Sequence, residues 1–263
     1  MNPVEMINAQ NYPLHQTSRA LENLTPLMFA AKYGLSDYIA DQLNSIEDGK
    51  AELLAKTNVG GLTPLHYACL YGHVETVKVL LQHRASNSIA SKLGQLPIHS
   101  LFSQHNNSEK IIEIFTLLCK DKPSLSAVNH NGDNVAHLAA QKGIVDILKY
   151  IYMIEPGFLN KKNSQAMTPL LLSVLNNQSD ATDYLLSVSE KTITDNQRRN
   201  ALHYAALYST PDILKITLPH FSVSAVDANQ KKPIDYAIAK KNSDKIHILE
   251  EAEVQESQKV HTL

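Results

Sequence analysis

Residues 60–85 read GGLTPLHYACLYGHVETVKVLLQHRA. The stretch opens on a Gly pair, passes through Thr63-Pro64-Leu65-His66, pauses at Gly72 and resumes with Val77 and Leu80-Leu81. A catalytic motif would make His66 and Cys69 the residues of interest and would be needed once. A structural unit should recur, and this one does. With the Pro64 position as anchor, LTPLMFAAKYG stands at Pro26, QLPIHSLFS at Pro97 and DNVAHLAAQKG at Val135. MTPLLLSVLNN follows at Pro169, RNALHYAALYS at Ala201 and KKPIDYAIAKK at Pro233. The steps between the seven anchors are 38, 33, 38, 34, 32 and 32 residues. A near-constant step of this length is the signature of a repeat array.

The unit has a physical logic. Thr63 can cap a helix by accepting from a free backbone N–H, and Pro64 fits the first helical position, where a missing N–H costs nothing. Leu65, Ala68 and Cys69 put apolar and small groups on packing faces, so neighbouring helices can approach closely. Gly72, like Gly34 and Gly143, supplies the left-handed residue that ends the first helix, and Asn177 substitutes for it in another copy. A second helix follows, with Val77, Leu80 and Leu81 on one side; its counterparts are Leu148, Ile151 and Tyr152, then Thr182, Leu185 and Leu186. Six residues before successive anchors stand Asn58, Ser91, Asn129, Asn163, Asp195 and Asp227, all residues that favour tight turns.

Composition sets outer bounds. The chain has 263 residues, 43% of them hydrophobic and 19% charged, which suits a folded chain. A formal charge of −2 gives no general pull toward nucleic acid or an anionic membrane. Cys69 and Cys119 are too few for a disulfide framework and lack metal-ligand spacing. No apolar run reaches membrane-spanning length and no Sec-type signal peptide stands at the start. These features predict a cytoplasmic protein with no stable membrane insertion, no nucleic-acid partner, no cofactor and no metal. His66, His99, His137 and His203 recur with the period, so they read as structural rather than catalytic. No phosphate-binding loop, zinc-protease helix, G-x-S-x-G elbow or kinase set is present.

These motifs resemble the ankyrin repeat, whose period is 33 and whose signature is Thr-Pro-Leu-His-x-Ala. The resemblance spans roughly residues 20–250; residues 58–81 follow it best, while the third copy has Leu96 for Thr and His105 for Gly, and the fourth and sixth lack the anchor Pro. It implies an all-α, ankyrin-repeat α-solenoid of about seven helix-turn-helix repeats joined by hairpin loops. Residues 1–22 then form an N-terminal capping segment, 23–250 the array and 251–263 an acidic, flexible tail. Two insertions, at 45–55 and 103–110, read as longer loops between helices, and the third repeat as a soft point.

The resemblance implies a non-catalytic module that binds a protein through its concave face, made of finger tips and the exposed side of the first helices. Positions six and seven after the anchor are exposed in the family: Lys32 and Tyr33, Leu70 and Tyr71, Ser103 and Gln104, Gln141 and Lys142, Leu175 and Asn176, Leu207 and Tyr208. Tyr33 and Tyr71 either form one binding patch or pad the interface between repeats. Basic pairs Lys161-Lys162, Arg198-Arg199 and Lys231-Lys232 lie near successive hairpins, either as a stripe for an acidic protein or anionic head group or as ordinary solvated charge. The end of the chain, with Glu250, Glu251, Glu253 and Glu256 ahead of Val260 and Leu263, resembles the tails of Dot/Icm type IV secretion substrates. That resemblance implies a bacterial effector, secreted into a host cell without a Sec signal, that engages a host protein there; a monomer is expected. A resident cytosolic scaffold or inhibitor is the alternative, and an enzyme with residues dispersed over the concave face is the rival of a different class.

Overall fold

The structure is a computed structural model that describes residues 5, 23–103, 107–119 and 125–260. Every regular element among the described residues is a helix, and no strand forms among them. The fold is the all-α ankyrin-repeat solenoid. The expected capping segment 1–22 lies, but for Glu5, outside the described residues. The chain divides into two compact units, Met1–His130 and Asn131–Leu263.

In the first unit, helical hairpins follow one another: α1 (Pro26–Tyr33) with α2 (Ser36–Ser45), then α4 (Pro64–Leu70) with α5 (Val74–Gln82), separated by α3 (Lys50–Ala55). The third hairpin holds α6 (Pro97–Ser100) and α7 (Ser108–Leu118). First helices pack on first helices, α1 on α4 and α4 on α6, and second helices likewise, α2 on α5 and α5 on α7. The insertion at 45–55 is thus a further helix, α3, rather than a longer loop; Leu54 is the side chain it buries. Thr25 and Thr63 cap α1 and α4 through their hydroxyls, each contributing about 1 kcal/mol. Gly34 and Gly72 end the first helices in the left-handed conformation, with φ of 72° and 68°.

The third repeat departs from the pattern for a steric reason. Where α4 carries Ala68 and Cys69, the third repeat carries Leu101 and Phe102, all four buried. Two bulky side chains stand where small ones let first helices approach, and α6 stops at Ser100. Leu96 has no side-chain oxygen to cap that helix, and the Ser100 hydroxyl is buried without a hydrogen-bond partner. Residues 104–106, at the expected second insertion, lie outside the described residues.

The second unit repeats the arrangement with α8 (Val135–Lys142) and α9 (Val145–Ile154), α10 (Pro169–Leu175) and α11 (Ser179–Val188), α12 (Ala201–Tyr208) and α13 (Pro211–Thr217), and α14 (Pro233–Ala239) with α15 (Ser243–Val260). First helices stack as α8, α10, α12, α14, and second helices as α9, α11, α13, α15. Leu148, Ile151, Thr182, Leu185 and Leu186 are buried as their spacing predicts, whereas Tyr152, expected on the packing side, is exposed. Asn134 and Asn200 cap α8 and α12 where the consensus has Thr, and Asn177 takes the left-handed stop with φ of 55°. Side chains also reach back to the preceding repeat's first helix: Lys245, almost fully buried, donates from Nζ to the carbonyls of Ala205 (3.1 Å) and Ala206 (2.8 Å). Helix α15 carries the acidic stretch from Glu250 onward and continues to Val260.

Candidate protein-binding surface

Within each unit the recurring residues are spent on holding the array. His66 is fully buried; its Nδ1 accepts from the Thr63 amide at 3.1 Å and lies 2.8 Å from the Thr63 hydroxyl. Its Nε2 faces the Gln95 carbonyl of the next repeat at 2.9 Å. A carbonyl only accepts, so the proton sits on Nε2 and the ring is neutral. His99, His137 and His203 make the same pair of contacts, bridging to the carbonyls of Ala127 (3.2 Å), Met167 (3.1 Å) and Lys231 (3.2 Å). Burial depresses the pKa of His66, His137 and His203. Each histidine therefore ties one repeat to the next, the structural role that its recurrence predicts. The Cys69 thiol is buried, which pushes its pKa up and leaves little thiolate to react.

The hairpin fingers are held just as locally. Asn58, Asn163, Asp195 and Asp227 accept through Oδ1 from the amide four residues on, at 2.8 to 2.9 Å. Successive fingers are linked by single backbone bonds: Lys92 N–H to Gly60 O and His130 N–H to Leu93 O in the first unit, Ser164 N–H to Asn131 O and Ala228 N–H to Gln197 O in the second. The tip residue three before each anchor takes positive φ, whether it is Gly61, Gly94, Gly132, Ala166, Arg198 or Gln230.

What these tasks leave outside is the candidate surface. In the first unit Tyr33 and Tyr71 are 41% and 36% exposed, at the ends of α1 and α4. Tyr33 lies against Phe29, with Lys32 Nζ 5.3 Å from its ring centre, and Tyr71 stacks beside His73. Leu70 is half-buried, and Gln104 lies outside the described residues. Sequence reasoning missed two finger-tip residues, Val59 and Leu93, which are 81% and 63% exposed. The signal was there: a large apolar side chain beside glycine in a turn otherwise built from polar residues.

In the second unit Lys142 and Tyr208 are exposed at the ends of α8 and α12, and Leu207 is half-buried. The basic pairs fall at different places on their hairpins. Arg198 occupies the tip and Lys231 the outgoing arm, both exposed. Lys161 lines a cleft with Glu155 and Glu190 instead. Lys232 pairs with Glu253 at 3.1 Å. Arg199 is turned inward: its Nη2 lies 2.7 Å from Asp195 Oδ2, and its guanidinium sits 4.9 Å from the centre of the Tyr204 ring. Burial works against both charges of that pair, but their contacts outweigh it, holding Asp195 below the usual carboxylate range and Arg199 above its ordinary value. Burial, with the bond to Asp227, pushes the Tyr236 phenol up to about 12. Among the described residues no group of three or more His, Cys, Asp or Glu could hold a metal ion, and no helix is long and apolar enough to cross a membrane.

Comparison with known proteins fits this architecture. The human ASB11 ankyrin repeat domain superposes with a TM-score of 0.73, covering 87% of this chain and 98% of that one at 18% identity, a likeness of fold. The NF-kappa-B inhibitor cactus of Drosophila melanogaster is 26% identical over 133 residues, 50% of this chain and 25% of its own length. Mouse inversin is 28% identical over 134 residues, 49% of this chain and 12% of its own length. The chain thus spans a quarter or less of these relatives. The family model described as ankyrin repeats (3 copies) matches residues 4–92 and 101–195, and on that match the chain belongs to the ankyrin repeat family.

Proposed function

We propose that this protein is a non-catalytic binding module that grips a protein partner with the ends of its first helices and the tips of its fingers. One observation carries the reading: large side chains, Tyr33, Tyr71 and Tyr208, stay exposed where the recurring positions are consumed by packing. Tyrosine brings a large rigid contact area and a polar tip, which suits a protein interface. The site set expected from the sequence is Lys32, Tyr33, Leu70, Tyr71, Gln104, Lys142, Arg198, Arg199, Leu207, Tyr208 and Lys231; Arg199, turned inward onto Asp195, supports the site from behind, and exposed Val59 and Leu93 join the proposed set. The test is affinity capture from host lysate followed by titration calorimetry with the captured partner. Tyr33→Ala with Tyr71→Ala should weaken binding by roughly 1–3 kcal/mol at an unchanged melting temperature. A lowered melting temperature with unchanged affinity would show that the two rings pad the repeat interface instead.

The finer proposal is a bacterial effector delivered into a host cell. Its support is the Glu-rich stretch 250–256; Leu263 and the Val260 side chain lie outside what the structure describes. Export of a translocation reporter that persists after deletion of residues 250–263 would reject the tail as a signal. The name NF-kappa-B inhibitor borne by cactus supports the alternative, a resident inhibitor of another protein.

A further inference from the structure

The last two fingers of the second unit form a built platform. Asp195 Oδ2 accepts from Arg199 Nε at 2.8 Å and from the Tyr204 hydroxyl at 2.9 Å, and Arg199 Nη2 also donates to that hydroxyl at 3.1 Å. The Arg199 guanidinium also lies 4.9 Å from the centre of the Tyr204 ring. The rings of Tyr204 and Tyr208 are 5.7 Å apart. On the next finger Asp227 accepts from the Tyr236 hydroxyl, and Lys231 Nζ stands 5.8 Å from the centre of the Tyr236 ring. Both carboxylates are buried and committed to backbone amides and phenols.

The sign of what remains outside is the point. Arg198, Lys231 and Lys240 are exposed, and none forms an ion pair with a described carboxylate. Lys240 holds the position on its repeat that Tyr208 holds on the repeat before, and those first helices are in contact. Two acids of the last repeat are engaged: Asp235 accepts the Lys232 amide at 2.7 Å, and Glu253 pairs with the Lys232 ammonium. Tyr208, 48% exposed, and Ile238, 52% exposed, leave apolar surface on these two contacting helices.

We propose that this face of the second unit takes an acidic segment of the partner protein, with its carboxylates against Arg198, Lys231 and Lys240 and an apolar side chain against Tyr208. The proposal rests on the protein-binding reading above and names the partner's chemistry. Arg199 is a positioning residue: bound to Asp195, it fixes the tyrosine floor before any partner arrives, which lowers the ordering cost of binding. A single acidic segment needs only local complementarity. A polyanion such as RNA or an anionic membrane gains from long-range attraction, and a chain of formal charge −2 supplies none.

The test is fluorescence anisotropy on the full chain with a labelled peptide of alternating Glu and Phe. A peptide with Gln for Glu, phosphatidylserine vesicles and single-stranded RNA serve as the other probes. The acidic peptide should bind at about 0.05 M salt and weaken steeply by about 0.5 M. Arg198→Glu with Lys231→Glu should weaken it about tenfold or more, and Tyr208→Ala by several-fold, each at an unchanged melting temperature. If one variant fails to fold, the other carries the test. Equal binding of the Glu and Gln peptides, preference for vesicles or RNA, no binding of any probe, or indifference to both substitutions would overturn the proposal. If the Tyr33 and Tyr71 substitutions still weaken the captured partner after such a result, the protein-binding reading stands and only the acidic assignment falls. If they do not, both fall.

Discussion

Acidification should loosen the array through its histidines, and His66 should contribute most. Its Nε2–H is committed to the Gln95 carbonyl, and its Nδ1 accepts from the Thr63 amide. A second proton on Nδ1 would set one donor against another. Burial depresses its pKa, the Gln95 bond opposes that, and the charge of a protonated His99 would depress it further. A folded pKa below the unfolded one favours the neutral form in the fold. The stability so gained is complete above the unfolded value of 6.5, and it is lost as pH falls below that value toward the folded one. At about pH 5.5, a site that refuses its proton gives up about 1.4 kcal/mol relative to neutral pH. Each of the three rings has a side-chain oxygen beside Nδ1, the Thr63 hydroxyl at 2.8 Å from His66 and the Oδ1 atoms of Asn134 and Asn200 at 2.6 and 2.7 Å from His137 and His203. His137 and His203 differ from His66 in the carboxylates around them. Asp133 near His137, and Asp227 and Asp195 near His203, favour the charged ring. Both should accept a proton sooner and lose less. The assay is urea unfolding at about pH 7.5 and about pH 5.5 for the parent chain, His66→Ala and His137→Ala. His66→Ala should reduce the pH-dependent loss by up to about 1.4 kcal/mol, and His137→Ala by less. An equal loss in all three proteins would refute the reasoning.

The finger tips make a paired prediction. A Cβ on Gly61, at φ of 80°, would sit 2.8 Å from the Lys92 amide nitrogen of the next finger, so Gly61→Ala should cost more than about 1 kcal/mol. Ala166 occupies the same place at φ of 58°, so Ala166→Gly should stabilise by up to about 1 kcal/mol; a lower melting temperature for Ala166→Gly would contradict it. In the third repeat, amides of α6 should exchange hydrogen faster than those of α4, because its helix is a single turn with a buried unsatisfied hydroxyl and no side-chain cap. Equal protection of the two helices would remove the third repeat as a soft point.

The parts of this molecule that could be read from the sequence are those whose task is local. Thr63 caps a helix that begins at the next residue, Gly72 ends it, and His66 reaches back to the third residue before it. Each task needs a particular residue type at a fixed offset, so the tasks write a period into the chain. Features governed by volume leave no such trace. Helix α3 has neither anchor nor stop signal, so an insertion at 45–55 reads as a loop. Leu101 and Phe102 look as apolar as any core residue until the neighbouring helix shows that small ones were needed. The surface was half legible for a related reason. Positions after the anchor marked Tyr33, Tyr71 and Tyr208, but charge alone could not separate Arg198 from Arg199. What separates them is which one faces Asp195, four residues back across the turn. Arg198 takes the left-handed tip residue and is carried outward, while Arg199 starts the outgoing arm and folds onto its own finger. The same turn that builds the finger therefore sorts its two cations, one into the scaffold and one toward whatever the protein binds.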